Sequence, residues 1–136
     1  MTKKIAVFVE GQTEQIFLIE LLKALAGRKN ITFERMEQHR GELVSTEVIL
    51  SGGLDDFYFL IVSCNSDSQV NSQIKRRHKA LTDSGYAHIV GLRDIYPSPL
   101  SELPLFEEHK LAGIPREGAP VDIVLAVLET ERRHRI

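Results

Sequence analysis

The chain of 136 residues, 43% of them hydrophobic, is long enough for a buried core, and we expect residues 1–136 to form one domain. Its formal net charge of −2 gives no overall attraction to nucleic acid, so contact with a polyanion has to use local basic patches or a bound cation. The single cysteine excludes an internal disulfide, and no apolar run approaches the roughly 20 residues that span a bilayer. We therefore expect a cytoplasmic protein with no membrane segment.

The chain opens with a short strand, a turn and a helix. The run Ile-Ala-Val-Phe-Val predicts a buried strand over residues 4–9. Glu10 and Gly11 follow directly, and Thr13 can cap a helix over residues 13–26. A carboxylate at the carboxyl end of a buried strand lies where open α/β sheets bind their ligands. Because glutamate suits a cation better than a phosphate, Glu10 predicts metal-dependent chemistry.

Strands and helices alternate along the rest of the chain. Further strands are predicted over residues 31–39, 57–62, 87–92 and 121–128, and a second helix over 69–84. The strand over 31–39 alternates apolar and charged residues, as a half-exposed or edge strand does. The stretch 97–120 contains all five prolines and predicts loops with one short helix near 103–111. This alternation predicts an α/β fold with a mostly parallel sheet flanked by helices.

Acidic residues follow three of the predicted strands. Glu10 follows the first strand, Asp94 follows the strand over 87–92, and Glu129 and Glu131 follow the last strand. If these strands are neighbours, the carboxylates converge at one edge of the sheet. Carboxylate oxygens are ligands that Mg²⁺ and Mn²⁺ prefer, whereas the five histidines are scattered without the spacing of a zinc site. The pattern therefore predicts a divalent-cation site that includes one or both of the late glutamates.

The order of these acids resembles that of Toprim domains. The segment Glu-Gly-Gln-Thr-Glu at 10–14 is similar to the first Toprim motif, and Asp-Ile-Tyr-Pro at 94–97 resembles the second, where many members have Asp-x-Asp. Toprim domains are metal-binding α/β modules of type IA and II topoisomerases, DnaG-type primases and overcoming-lysogenization-defect nucleases. The chain most resembles a family of short bacterial Toprim-like proteins with Asp-x-Tyr at the second motif, whose genes often lie beside ATPases in phage-defence loci.

The resemblance implies a Rossmann-like, Toprim-like fold and a Mg²⁺- or Mn²⁺-dependent nuclease that acts in anti-phage defence. It implies that Glu10 is the first metal ligand and a general acid or base, and that Asp94 is the second ligand. Glu129 or Glu131 would complete the site or orient water. The expected substrate is DNA or RNA, an ATPase encoded nearby is the expected partner, and a homo-oligomer is compatible with the family.

Two departures from the Toprim pattern support an alternative function. Tyr96 stands where the second aspartate of Asp-x-Asp is found, and a basic segment at 132–135 stands where the family has an apolar helix. The chain is either a truncated form or one whose terminus has diverged. Both departures favour a non-catalytic Toprim-like module that docks on an ATPase. A nucleotide-binding domain is a third hypothesis, ranked last because the sequence has no motif that binds a base or ribose.

Each singled-out residue also has a purely structural alternative. Glu10 can cap the helix after it or pair with a lysine, and Asp94 can form an ion pair with Arg93 or a turn. The two late glutamates can be solvated residues at a strand end. We interpret the basic cluster at 75–79 as a solvated helix face, with a phosphate contact as the alternative. We interpret Cys64 as a buried structural cysteine.

Overall fold

The structure, a computed structural model, describes residues 2–26, 30–39, 42–50, 56–64, 69–94, 104, 108, 110–111 and 113–126. Strands and helices alternate along this part of the chain. The elements are β1 (Lys3–Val9), α1 (Gln12–Ala26), β2 (Ile31–His39), β3 (Glu42–Leu50), β4 (Phe57–Ser63), α2 (Val70–Asp83), β5 (His88–Asp94) and β6 (Val121–Ala126). The α/β class predicted from the sequence is confirmed. The helix predicted near 103–111 lies largely outside the described residues.

The described strands form one sheet in the order β3-β2-β4-β1-β5-β6. β2, β4, β1, β5 and β6 run parallel to one another, and β3 is antiparallel to β2 at one edge. The sheet is therefore mostly parallel, as predicted. The apolar β1 is central, between β4 and β5, which puts its carboxyl end in the middle of one sheet edge.

β2 is an internal strand, so of the two positions predicted for it, half-exposed or edge, the edge position is wrong. It pairs with β3 on one side and with β4 on the other. Its charged residues tolerate this position because they have polar partners. The Tyr58 hydroxyl donates to the Glu34 carboxylate, and Arg35 Nε donates to Gln15 Oε1 at 3.1 Å. The edge is formed by β3, which has no counterpart among the sequence predictions.

The two helices cover opposite faces of the sheet. Val7 and Ile61 belong to the core under α1, whereas Phe8 and Val62 belong to the core under α2. This division follows from the alternation of side chains along each strand. α1 packs over β1, β4 and β2, and α2 packs over β1 and β5. The edge where the parallel strands end lies between these two layers.

Candidate functional site

The carboxyl ends of four parallel strands, β4, β1, β5 and β6, lie side by side at one edge of the sheet. The chain leaves β1 for α1 on one face, and it leaves the adjacent β4 for α2 on the other face. Neighbouring connections that diverge in this way form a crevice, which is where open α/β sheets bind ligands. Glu10 follows β1 at this point, and Cys64 follows β4.

Backbone hydrogen bonds hold the turn that carries Glu10. The Cys64 amide donates to the Val9 carbonyl at 2.9 Å, and the Gln15 amide donates to the Gly11 carbonyl at 3.1 Å. A Cβ atom added at Gly11 would lie 3.3 Å from Glu14 Oε2, which is closer than an ordinary contact. This oxygen ends a flexible side chain, so a larger residue at Gly11 needs only a small shift of Glu14. The half-buried Glu10 is presented from a strand-to-helix turn that these two hydrogen bonds hold.

Cys64 lies beside Glu10 in the crevice and is buried, as interpreted from the sequence. Burial, followed by the negative charge of Glu10, raises the pKa of its thiol from 9.0 to about 12. The thiol is therefore protonated at neutral pH and is a poor nucleophile.

We expect the protein to lose stability between pH 9 and pH 12. An unfolded chain releases the Cys64 proton above pH 9, whereas the folded chain retains it up to about 12, so the free energy of unfolding falls with rising pH. Tyr86 also lowers the free energy of unfolding as the pH rises, because burial and then the Glu34 charge raise its pKa from 10.0 to about 12.

Urea unfolding at pH 8 and pH 10 measures this loss of stability. Cys64→Ala should reduce the difference between the two pH values by about 1 kcal/mol. An unchanged difference would contradict the raised thiol pKa.

β5 brings Asp94 to the same edge. Phe8 of β1 pairs with Gly91 of β5, and extending this register by two places brings Arg93 level with Glu10. Asp94 is the last residue of β5, and the structure describes its backbone but not its side chain. Neighbouring strands lie about 4.8 Å apart. The fold therefore places Glu10 and Asp94 at the ends of adjacent strands, and metal coordination by both stays a prediction.

Arg93 adds a positive charge to this edge. Its Nε atom is shielded from solvent and has no hydrogen-bond partner among the described residues. The sequence indicated Arg93 only as an ion-pair partner for Asp94. Its position level with Glu10 follows from the pairing of β1 with β5, which the sequence alone does not determine.

Glu129 and Glu131 lie outside the described residues. The strand before them, β6, pairs with β5 and ends at Ala126 on the same edge. In the part of the chain that the structure describes, no group of three or more His, Cys, Asp or Glu side chains is placed to hold a metal ion. Because the Asp94 side chain and both late glutamates are outside that part, the four-acid metal site stays a prediction.

Gln15 fastens the first turns of α1 to the sheet, a contact that sequence reasoning missed. It is fully buried, and its Nε2 donates to the Ile61 carbonyl at 2.7 Å and to the Met36 carbonyl at 3.2 Å. Its Oε1 accepts from Arg35 Nε. The one signal in the sequence is that Gln15 lies four residues before Ile19, on the face of α1 that packs on the sheet. Gln15 thus supports the turn that carries Glu10.

Gln15→Ala is expected to destabilise the protein by about 2–4 kcal/mol, because it leaves a buried carbonyl, a partly buried carbonyl and a guanidinium without their amide partner. The free energy of unfolding in urea measures this loss. Gln12→Ala is the matched control. Gln12 is exposed and contacts Glu37 at the surface, so its removal should cost less than about 1 kcal/mol. Equal effects of the two variants would contradict the anchoring role of Gln15.

The residues of the basic cluster at 75–79 lie on different faces of α2, some exposed and one buried. Lys75, Arg76 and Lys79 are exposed, as interpreted from the sequence, and Lys79 forms an ion pair with Asp83 at 2.9 Å. His78 is buried, and its Nε2 lies 2.9 Å from the Ala119 carbonyl. His78 therefore fastens the segment before β6 to α2. The alternative of a phosphate contact by the exposed members stays a prediction.

Comparisons with known proteins give one distant structural likeness. No protein-family model and no curated protein matches the chain. A crystal structure described as "the putative cell surface hydrolase from Lactobacillus plantarum WCFS1" is similar at 13% sequence identity and a TM-score of 0.44. The likeness covers 90% of this chain and 52% of that one, so this chain spans about half of its length. Neither of the described helices has the length and apolar character needed to cross a membrane.

Proposed function

We propose that this chain is a metal-dependent nuclease of Toprim type, which hydrolyses phosphodiester bonds of DNA or RNA in the cytoplasm as an effector of anti-phage defence. The observation that carries the proposal is the strand order. Glu10 directly follows β1, and Asp94 is the last residue of the adjacent parallel strand β5, beside the point where the chain connections diverge. Two acids separated by more than 80 residues thus reach one sheet edge.

Carboxylate oxygens are the donor type that a hard divalent cation prefers. Glu10 and Asp94 would hold Mg²⁺ or Mn²⁺, with Glu129 or Glu131 as further ligands. Such a cation polarises the phosphodiester and stabilises the charge that develops during its hydrolysis. Zinc is a poorer fit, because the candidate ligands are carboxylates, whereas protein zinc sites are built mainly from cysteine and histidine.

The chain's own residues supply the remaining functions of a phosphodiesterase. In the proposal, a Glu10 carboxylate oxygen accepts the proton of the attacking water. Arg93, which is level with Glu10 and partly exposed, donates from its guanidinium group to a non-bridging phosphate oxygen. Burial of Val9 and Cys64 beside Glu10 keeps the crevice floor apolar, which strengthens both interactions.

A cleavage assay with the purified chain tests the proposal. Plasmid DNA, single-stranded DNA and RNA are each incubated with Mg²⁺ or Mn²⁺, with EDTA, and with EDTA followed by excess Mn²⁺. We expect cleavage of at least one substrate that EDTA abolishes and Mn²⁺ restores. Cleavage that EDTA leaves unchanged would contradict the metal role. No cleavage together with no Mn²⁺-induced rise in Tm would contradict the proposal and favour the non-catalytic module that docks on an ATPase.

A further inference from the structure

An open groove lies along the first half of α2. It has a volume of about 530 Å³ and is lined by Gln69, Ser72, Gln73, Lys75 and Arg76. From Gln69 to Arg76 the helix rises about 10 Å, at about 1.5 Å per residue. All five lining side chains are polar or positively charged, and none is acidic. We call this feature the α2 groove.

The α2 groove begins at the sheet edge that carries Glu10. A Cβ atom added at Gly91 would lie 2.8 Å from Ile74 Cδ1 and 3.1 Å from Val70 Cγ1, so these two side chains pack on Gly91. Gly91 lies two residues before Arg93 in β5. The first turns of α2 therefore lie over the carboxyl end of β5, next to the candidate site.

Gln73 lies on the flank of α2 that faces β4. On the other flank, Asn71 Nδ2 donates to the Lys110 carbonyl at 2.8 Å, in the segment that leads to β6. Gln73 is rotated about 160° from Asn71 at about 100° per residue. Because α2 packs over β1 and β5, its flank away from β6 is directed towards β4, where Cys64 follows the strand.

The amide of Gln73 has a hydrogen-bonding capacity that the fold leaves unused. The side chain is 2% exposed, and its Oε1 has no hydrogen-bond partner among the described residues. A buried polar group without a partner destabilises a fold, so such a group calls for an explanation. Rotation of the amide presents either its acceptor or its two N–H donors. Because Gln73 lines the α2 groove, a ligand there can supply the missing partner.

The two cations of the α2 groove have no carboxylate partner among the described residues. Lys75 and Arg76 are exposed, whereas the nearby Lys79 is paired with Asp83 at 2.9 Å. The groove is therefore a local basic patch on a chain whose formal net charge is −2. Guanidinium and ammonium groups bind phosphate oxygens through charge-assisted hydrogen bonds.

We propose that the α2 groove binds a phosphate of the nucleic-acid strand, adjacent to the phosphodiester at the candidate site. Lys75 and Arg76 donate to its non-bridging oxygens, and Gln73 donates from Nε2 to the same group. Such contacts position the strand without recognising its bases, so the binding is independent of sequence. The inference rests on the proposed nuclease function, which supplies the substrate.

Fluorescence anisotropy of a labelled single strand of DNA or RNA tests the groove, in EDTA so that no strand is cleaved. The double variant Lys75→Gln and Arg76→Gln should raise Kd at least about tenfold at low salt. It should also reduce the slope of log Kd against log salt concentration by about 1.4, because each phosphate contact of a single strand contributes about 0.7.

A second double variant, Lys3→Gln and Lys23→Gln, is the charge-matched control. It removes the same two charges, but Lys3 begins β1 and Lys23 is in the last turn of α1, at the opposite edge of the sheet. Its Kd should stay within about threefold of the wild type, since salt screens charges beyond about 10 Å. Equal losses in the two double variants, or no binding by the wild type at about 100 μM, would overturn the proposal.

Gln73→Leu separates binding from folding. Leucine fills the position without a buried polar atom, so Tm should equal or exceed that of the wild type, while Kd should rise about fivefold. A merely structural glutamine would behave in the opposite way. A Tm more than about 5 °C lower, or an unchanged Kd, would remove Gln73 from the proposal.

Two further results distinguish this proposal from the nuclease proposal. Mn²⁺-dependent cleavage that is equal in the two double variants would overturn the groove and leave the nuclease. Binding that depends on Arg76, with no cleavage of any substrate, would overturn the nuclease and leave the groove as a phosphate-binding site. Equal competition by a poly-aspartate peptide of matched charge would also overturn the groove, because it would then bind acids in general.

Discussion

Glu10→Gln is expected to reduce metal-dependent cleavage by about 10²–10⁴-fold while leaving the fold unchanged. The substitution preserves the size of the side chain but removes its negative charge and its capacity to accept a proton. Asp94→Asn should cause a loss of similar size. Because both residues would act on one metal site, the double variant should be little worse than either single variant. Initial rates of plasmid or RNA cleavage at saturating Mn²⁺ measure these effects.

Glu20→Gln is the matched control for this experiment. Glu20 is on the same α1 that follows Glu10, but its side chain is 67% exposed and its interaction with Lys23 spans 3.6 Å at the surface. Its substitution should leave the cleavage rate within about twofold, as expected for a surface ion pair remote from the site. Full activity of Glu10→Gln, or equal losses in Glu10→Gln and Glu20→Gln, would remove Glu10 from the mechanism.

Gly91→Val is expected to cause the largest loss of stability. A Cβ atom added at Gly91 would lie 2.6 Å from Ile123 Cδ1, 2.8 Å from Ile74 Cδ1 and 3.1 Å from Val70 Cγ1. These three side chains are almost fully buried, so they have little room to move. Even Gly91→Ala should cost about 1–3 kcal/mol, and valine more. Thermal and urea unfolding measure the loss.

Ala87→Val is the control for the effect at Gly91. Ala87 is exposed just before β5, so the same added atoms meet solvent and should change the free energy of unfolding by less than about 0.5 kcal/mol. If Gly91→Val were as stable as Ala87→Val, α2 could not be packed against β5 as described. Gly91 lies two residues before Arg93 in the same strand, so the packing here also supports the end of β5.

The sequence predicted the central elements because their patterns are local. The apolar runs of β1 and β4 and the narrow apolar stripe of α2 each indicate one element without reference to the rest of the chain. β2 and β3 were harder, since Glu34 and Arg35 suggest a solvent-exposed edge. The partly buried positions of Glu34 and Arg35 depend on hydrogen bonds with Tyr58 and Gln15. These partners are distant in sequence, and no periodicity of the sequence reveals them.

The acidic residues of the candidate site were predictable from the sequence, but their arrangement in the sheet was not. Glu10 and Asp94 were found because each ends an apolar strand. That β1 and β5 are neighbours depends on the order of strands in the sheet, which the local pattern does not determine. The position of Arg93 level with Glu10 and the contacts of Gln15 were not predictable for the same reason, because they arise from strand register and from long-range hydrogen bonds.

The most direct measurement is the anomalous diffraction of Mn²⁺ in crystals of the wild-type chain and of Glu10→Gln. We predict one strong peak at about 2.1 Å from carboxylate oxygens of both Glu10 and Asp94, and its loss in the variant. A peak bound by other residues, or Glu10 and Asp94 side chains that point apart with no peak between them, would contradict the nuclease proposal.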